Sequence, residues 1–339
     1  MNKKTLKINL LILSLVVIVV QFFLLKDNFN STIEHLLHMN YFWIFIACLF
    51  MFLNLLFQTY AQYKFLKEVK EDYTFISCLK IIAIGQLMNA ITPFSSGGQP
   101  SQIYLLKKEK IKVSDSTNAL MQNFIIYQIG LLVLGSIAII INFTFGVMPK
   151  DMLLRKAIII GYLVNLGIIL VLIFFSKAKK VNTNLFKKIF NFIFGFKFIK
   201  NKEEKMKKVE ESLDNFYNSA AKLKSNRRLT MIGFVFNVLS LIMLYMVPYF
   251  VLLALGSNEI NLMYVVVLSA YVYLIGTVVP IPGGAGGLEY GFSKFYGLFI
   301  GGPVLAAAIL VWRLITYYIP MVIGFVVFLF YKGNKVKKD

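Results

Sequence analysis

The sequence predicts an all-α polytopic membrane protein, with six full spans plus two re-entrant hairpins arranged as an inverted-topology repeat. Three observations predict it. The chain is 58% hydrophobic and only 15% charged over 339 residues, against roughly 45–50% apolar and about 25% charged in a soluble domain. Its Lys and Arg residues sit between long apolar blocks. Two of those blocks run into Pro/Gly-rich breaks at corresponding places in the two halves.

The blocks lie at residues 6–25, 41–60, 76–93, 119–142, 157–175, 230–255, 262–282 and 303–330. Each approaches the length needed to cross the roughly 30 Å hydrocarbon core. The first follows Lys3, Lys4 and Lys7. It is longer than a signal-peptide core and lacks a small-residue cleavage pattern, so it reads as a retained anchor helix. The third block runs into Thr92, Pro93, Gly97, Gly98, Gln99 and Pro100, and the seventh into Pro280, Pro282, Gly283, Gly284 and Gly286. Pro and Gly at that density end a helix.

The formal net charge of +20 is read through the positive-inside rule. Residues 177–228 carry fifteen Lys and Arg against five acids, which places that loop in the cytoplasm. The basic N-terminus, Lys64, Lys67 and Lys70, the run Lys107, Lys108 and Lys110, and the tail 331–339 belong on the same side. All of them are inside only if the third and seventh blocks turn back without crossing. Halves of about 1–150 and 151–330 then each read span, span, hairpin, span, in opposite orientation, within one membrane domain spanning 1–330. This is a common architecture of secondary transporters. Within the loop, residues 185–194 mix Phe and Ile with Lys and suit the headgroup layer. Residues 206–223 carry one apolar stripe at helical spacing.

Irregular backbone at membrane depth needs protein or water partners, so two breaks imply a wet cavity between the halves. Helices starting after Gly97-Gly98 and after Gly286-Gly287 would point N–H groups at an anion there; the plainer reading is tight turning and close packing. Glu289, Lys294 and Arg313 are the few charges near the second break and last span. Charge at membrane depth is costly and defaults to function. Glu289 suits a cationic head group and Arg313 a phosphate, or the two pair with each other. Gln99, Gln102, Gln122, Asn123 and Gln128 supply neutral polar groups, and Tyr271, Tyr273, Tyr317 and Tyr318 are further lining candidates.

Other function classes find no support. The basic charge lies in loops without a nucleic-acid-binding motif. Cys48 and Cys78 lie in or beside apolar blocks and suggest no disulfide framework, and His35 with His38 does not make a zinc site. No catalytic residue set, cofactor or metal is expected.

Thr92-Pro93, Gly97-Gly98-Gln99-Pro100, then Pro280-x-Pro282-Gly283-Gly284-x-Gly286-x-x-Glu289, with Arg313 in the last span, resemble the transmembrane domain of the lysylphosphatidylglycerol synthase/flippase family. The likeness covers about residues 5–330 and departs from the family at Ser101-Gln102, where many members carry Arg. The resemblance implies translocation of lysyl-phosphatidylglycerol or a related aminoacyl or polar lipid at the cell membrane. It implies altered surface charge and resistance to cationic antimicrobial peptides. It leaves two alternatives: lysyl transfer from lysyl-tRNA to phosphatidylglycerol, or transport of another polar or isoprenoid-linked lipid. The chain is expected to be a stand-alone member without the cytosolic synthase domain. Its expected partners are membrane phospholipid and a separate lipid-modifying synthase, with nucleic acid entering only under the transferase alternative. Homo-oligomerisation is left open.

Overall fold

The structure, a computed structural model, describes residues 29–147, 152–177, 225–258, 260–276, 282–284 and 286–331, with isolated positions between 211 and 221. The expected first span at 6–25, the headgroup helix at 185–194, most of the apolar stripe at 206–223, Pro280 and nearly all of the tail lie outside these residues. Among the described residues every regular element is helical. In chain order they are α1 (Phe29–Leu37), α2 (Tyr41–Val69), α3 (Phe75–Ala90), a 3-10 turn at Pro93–Ser95, α4 (Gly98–Lys108), α5 (Val113–Phe145), α6 (Met152–Lys177) and α7 (Arg227–Ala254). There follow α8 (Leu262–Gly276), a second 3-10 turn at Pro282–Gly284, α9 (Gly287–Tyr296), α10 (Gly302–Arg313), a π-helical turn (Leu314–Tyr318) and α11 (Ile319–Phe330).

Among the described residues five stretches are long and apolar enough to cross a membrane: α2, α5, α6, α7 and the continuous run Gly302–Phe330. They carry five of the six expected spans. The two broken blocks behave differently. α3 has 16 residues and α8 has 15. At about 1.5 Å rise per residue each is about 22–24 Å long, short of the roughly 30 Å core. Their starts and stops are local. The Thr74 side chain caps α3 by accepting from Ser77 N, and Pro93 prevents the helix from continuing through the break.

α2 and α7 make the most extensive helix–helix contact among the described residues and run antiparallel. Asn40 N donates to Ala254 O at 2.8 Å at one end, and Asn226 Nδ2 donates to Glu68 Oε1 at 3.3 Å at the other. Midway, Asn54 Nδ2 donates to both Ser240 O and Ser240 Oγ at 2.8 Å. An amide buried among apolar side chains needs such partners.

Each short helix turns back on the one that follows it. In the first hairpin Gly85 of α3 faces the Gln102 side chain of α4, which would have to shift to admit a Cβ. Gly98 N donates to Asn89 Oδ1 at 2.7 Å near the tip. At the base, Lys70 Nζ donates to Glu109 O at 3.2 Å and Tyr331 OH to Glu109 Oε1 at 2.7 Å. In the second hairpin Gly276 of α8 meets Leu288 of α9, and Tyr296 OH donates to Val265 O at 3.0 Å.

The first hairpin leaves from the Glu68 end of the α2–α7 pair and returns to it. The second leaves from the Ala254 end and returns to it. Their tips, Pro93–Ser95 and Pro282–Gly284, touch. Each hairpin also leans on a span of the other half, α3 on α11 and α8 on α5. The main core gathers Tyr245, Tyr271, Phe292, Phe295, Tyr296 and Trp312, with a second cluster of Phe65, Leu66, Cys78, Ile81 and Leu106 under the first hairpin. Large apolar side chains such as Phe45, Ile140, Leu153, Ile160, Phe325 and Leu329 face outward, as lipid-facing positions do. The chain is a multi-pass membrane protein.

Candidate functional site

The first tip is closed by its own side chains. Thr92 Oγ1 donates to Met88 O at 2.7 Å and accepts from Gly97 N at 2.8 Å. Asn89 Oδ1 takes the next amide, that of Gly98. The N–H groups of Gly97 and Gly98 are therefore engaged within the tip. A helix start needs such acceptors, and here Thr92 and Asn89 supply them. Any Cβ at Gly97 or Gly98 would collide with those same side chains. Pro93 lies in the 3-10 turn and Pro100 in the first turn of α4, where a missing N–H costs little.

The second tip is held from the last span. Gly283, Gly284 and Gly286 all have positive φ, at 61°, 64° and 82°, a region that L side chains avoid. A Cβ on Gly283 would also enter the Tyr317 ring. Pro282 begins this turn. Tyr317 OH donates to Ala90 O at 3.0 Å, so one side chain packs on the second tip and binds the end of α3.

Behind this tip is a buried ion pair. Arg313 Nε donates to Glu289 Oε1 at 2.6 Å, and Gly286 N donates to Glu289 Oε2 at 2.7 Å. Arg313 Nη2 reaches Gly284 O at 3.4 Å. The guanidinium lies 5.2 Å from the Trp312 ring centre and 5.1 Å from that of Tyr317, within cation–π range. Glu289 is 9% exposed and Arg313 5%. Of the two roles the sequence leaves open for this pair, the structure brings the two groups onto each other. Both carboxylate oxygens are engaged. The helix widens into its π turn directly after Arg313. Pro320, at the start of α11, has no N–H to continue an α-helical ladder, and such bulges are frequent at functional sites.

Between the tips and α2, α5 and α7 lies a cavity of about 580 Å³. A smaller lobe of about 200 Å³ shares the walls formed by Gln58, Gln86, Asn89 and Tyr273 and extends to Arg313, Thr316 and Tyr317. Amides dominate the larger lobe, among them Gln58, Gln62, Gln86, Asn123, Gln128 and Asn237. Gln86 Nε2 donates to Gln58 Oε1 at 3.2 Å, and Gln128 Nε2 to Asn165 Oδ1 at 3.4 Å.

Of the residues expected from the sequence, Gln99, Gln102, Asn123, Gln128, Tyr273, Gly283 and Gly284 line the larger lobe. Arg313 and Tyr317 line the smaller one. Thr92, Gly97, Gly98, Gly286 and Glu289 stand behind the lining and shape it. Tyr271 is a core residue whose hydroxyl donates to Ala138 O at 3.0 Å. Sequence reasoning missed Gln58, Gln62, Gln86, Asn89 and Asn237. Their signal was present: amides three and four apart inside apolar helices are costly unless they face partners or a cavity.

The family profile described as "Lysylphosphatidylglycerol synthase TM region" matches residues 9–324. Comparison with curated proteins gives no match.

Proposed function

The chain belongs to the lysylphosphatidylglycerol synthase TM region family, a membrane domain linked to the handling of that lipid, and from this premise we propose that it translocates a polar membrane lipid. One observation carries the reading. Two helical hairpins from opposite ends of the protein meet tip to tip beside a polar cavity, in a chain otherwise dominated by apolar residues. A head group crosses through that cavity while its acyl chains stay among the outward apolar side chains. The two halves act as an inverted-topology repeat, a reading supported by the antiparallel α2–α7 pair and the reciprocal packing of each hairpin on the other half. Rocking of such halves around a fixed central site gives alternating access.

Arg313 is the charged side chain among the described residues lining either lobe. It meets the lipid phosphate from the smaller lobe, and Glu289 holds it in place. The basic loops orient the protein in the cell membrane with both termini cytoplasmic. The lipid is lysyl-phosphatidylglycerol or a related polar lipid, which a separate synthase would supply.

The test is reconstitution of the full chain into phosphatidylcholine vesicles carrying a trace of fluorescent phosphatidylglycerol or lysyl-phosphatidylglycerol. Membrane-impermeant quenching then reads transbilayer movement. Faster movement than in empty vesicles, lost on Arg313→Gln, is the expected result. Movement equal to that in empty vesicles removes the translocase reading. Lysyl-lipid formed from lysyl-tRNA and phosphatidylglycerol by the purified chain would favour the transferase alternative.

A further inference from the structure

Three amides from three helices form a chain in the wall of the larger lobe: Gln62 of α2, Asn123 of α5 and Asn237 of α7. Asn237 Nδ2 donates to Gly233 O at 2.9 Å and to Asn123 Oδ1 at 2.8 Å. Asn123 Nδ2 donates to Gln62 Oε1 at 3.0 Å. The Gly233 carbonyl only accepts, so it fixes which way the Asn237 amide faces and with it the direction of the whole chain. Amides linked head to tail must end in one unpaired donor and one unpaired acceptor. Here these are Gln62 Nε2 and Asn237 Oδ1, both buried and without a partner. The two residues are 5% and 0% exposed. Buried polar atoms are rarely left so, because each unmade hydrogen bond carries a desolvation penalty.

The chemistry of what completes this chain is narrow. An ammonium only donates and a phosphate only accepts, whereas a hydroxyl does both through one oxygen. The larger lobe has no Asp, Glu, Lys or Arg among the described residues lining it, so an ion seated there would lack its counter-charge. Its volume lies within the roughly 300–1,000 Å³ of small-molecule sites. Ile82, Phe124 and Ile168 offer apolar faces between the amides.

We infer that the Gln62–Asn123–Asn237 chain is a station for an uncharged, hydroxyl-bearing part of a lipid head group, a glycerol or a sugar. The inference rests on the lipid-translocating reading and names the chemistry of its cargo. Charge is met in the smaller lobe at Arg313, and hydroxyls in the larger lobe at the amide chain.

The test is lipid competition on the purified full-length protein, read by native mass spectrometry. The probes are phosphatidylethanolamine, phosphatidylglycerol, lysyl-phosphatidylglycerol and a glucosyl-diacylglycerol. Retention of the glucosyl lipid and phosphatidylglycerol over phosphatidylethanolamine by about tenfold is expected, about one hydrogen bond's worth of discrimination. Gln62→Met, which keeps the volume and removes both the open donor and the acceptor for Asn123 Nδ2, should abolish that preference without changing the elution profile. The better retained of the two hydroxyl lipids identifies sugar or glycerol as the source. Retention that follows charge alone, with lysyl-phosphatidylglycerol bound, the glucosyl lipid excluded and Gln62→Met unchanged, overturns the station and leaves the translocase reading standing. The wild-type ranking decides the matter even if the variant fails to fold. Failure of every lipid to move in the vesicle assay removes the translocase reading instead.

Discussion

Glu289→Gln is the substitution whose consequence the structure dictates most directly. It keeps the shape of the side chain and removes its charge. Arg313 then stays buried at 5% exposure, with Gly284 O at 3.4 Å and two aromatic rings as its remaining partners. Leaving one member of a buried pair uncompensated costs about 3–5 kcal/mol. The single carboxamide oxygen keeps either the Arg313 or the Gly286 hydrogen bond, and its NH2 then faces the other donor, so a loss of at least about 3 kcal/mol is expected. At roughly 2.1 cal/mol/K of unfolding entropy per residue, a chain of 339 residues shifts by about 1.4 °C per kcal/mol, so the thermal midpoint in detergent should fall by about 4 °C or more. A double-mutant cycle isolates the pair. Glu289→Gln and Arg313→Gln should each destabilise, and the double variant should lose less than their sum by about 2 kcal/mol. A thermal midpoint unchanged in Glu289→Gln, together with lost lipid movement, would refute this reasoning and make the carboxylate a ligand group rather than the clamp on Arg313.

Neighbouring geometry sets three further outcomes. Gly283→Ala combines a positive-φ position with a collision against Tyr317 and should cost about 2 kcal/mol or more, visible as a lowered midpoint and reduced lipid movement. Asn89→Leu removes the acceptor for Gly98 N and should cost about 1 kcal/mol, with increased hydrogen exchange at the start of α4. At the base of the first hairpin, burial and then the Glu109 carboxylate push the Tyr331 hydroxyl well above its ordinary value. A group so raised stabilises fully below its unfolded pKa of about 10 and loses that contribution as pH rises through the higher folded value. Tyr331→Phe should therefore lower stability by about 1 kcal/mol at neutral pH and lack this alkaline loss in a pH–melting series.

The spans and the two breaks were legible because each rests on a local signal. Apolar length specifies α2, α5, α6 and α7, while Pro93 ends the third apolar block and the glycines around Gly283 end the seventh. The cation clamp was half legible. Glu289 and Arg313 stood out as charges in apolar surroundings, but their 2.6 Å contact joins α9 to α10 and depends on tertiary packing that no sequence period encodes. The amide wall was the least legible part. Asn123 was a sequence candidate, but its partners Gln62 and Asn237 come from two other helices far apart in the chain, and each alone reads as an incidental polar residue in a span. The N–H groups of the helix after Gly97-Gly98 were expected to face an anion. Thr92 and Asn89 accept from the N–H groups of Gly97 and Gly98 themselves, because a tip in apolar surroundings must satisfy its own backbone.

The central claim is that the two hairpins enter the membrane from opposite faces and meet at the cavity. Single cysteines at Lys112, after the base of the first hairpin, and at Gly301, after the base of the second, test it in a background with Cys48 and Cys78 replaced. Both positions are exposed, and Gly301 has open space around it. Labelling of oriented vesicles with a membrane-impermeant maleimide should modify Lys112→Cys from the cytoplasmic face and Gly301→Cys from the opposite face. Modification of both from one face would contradict the account.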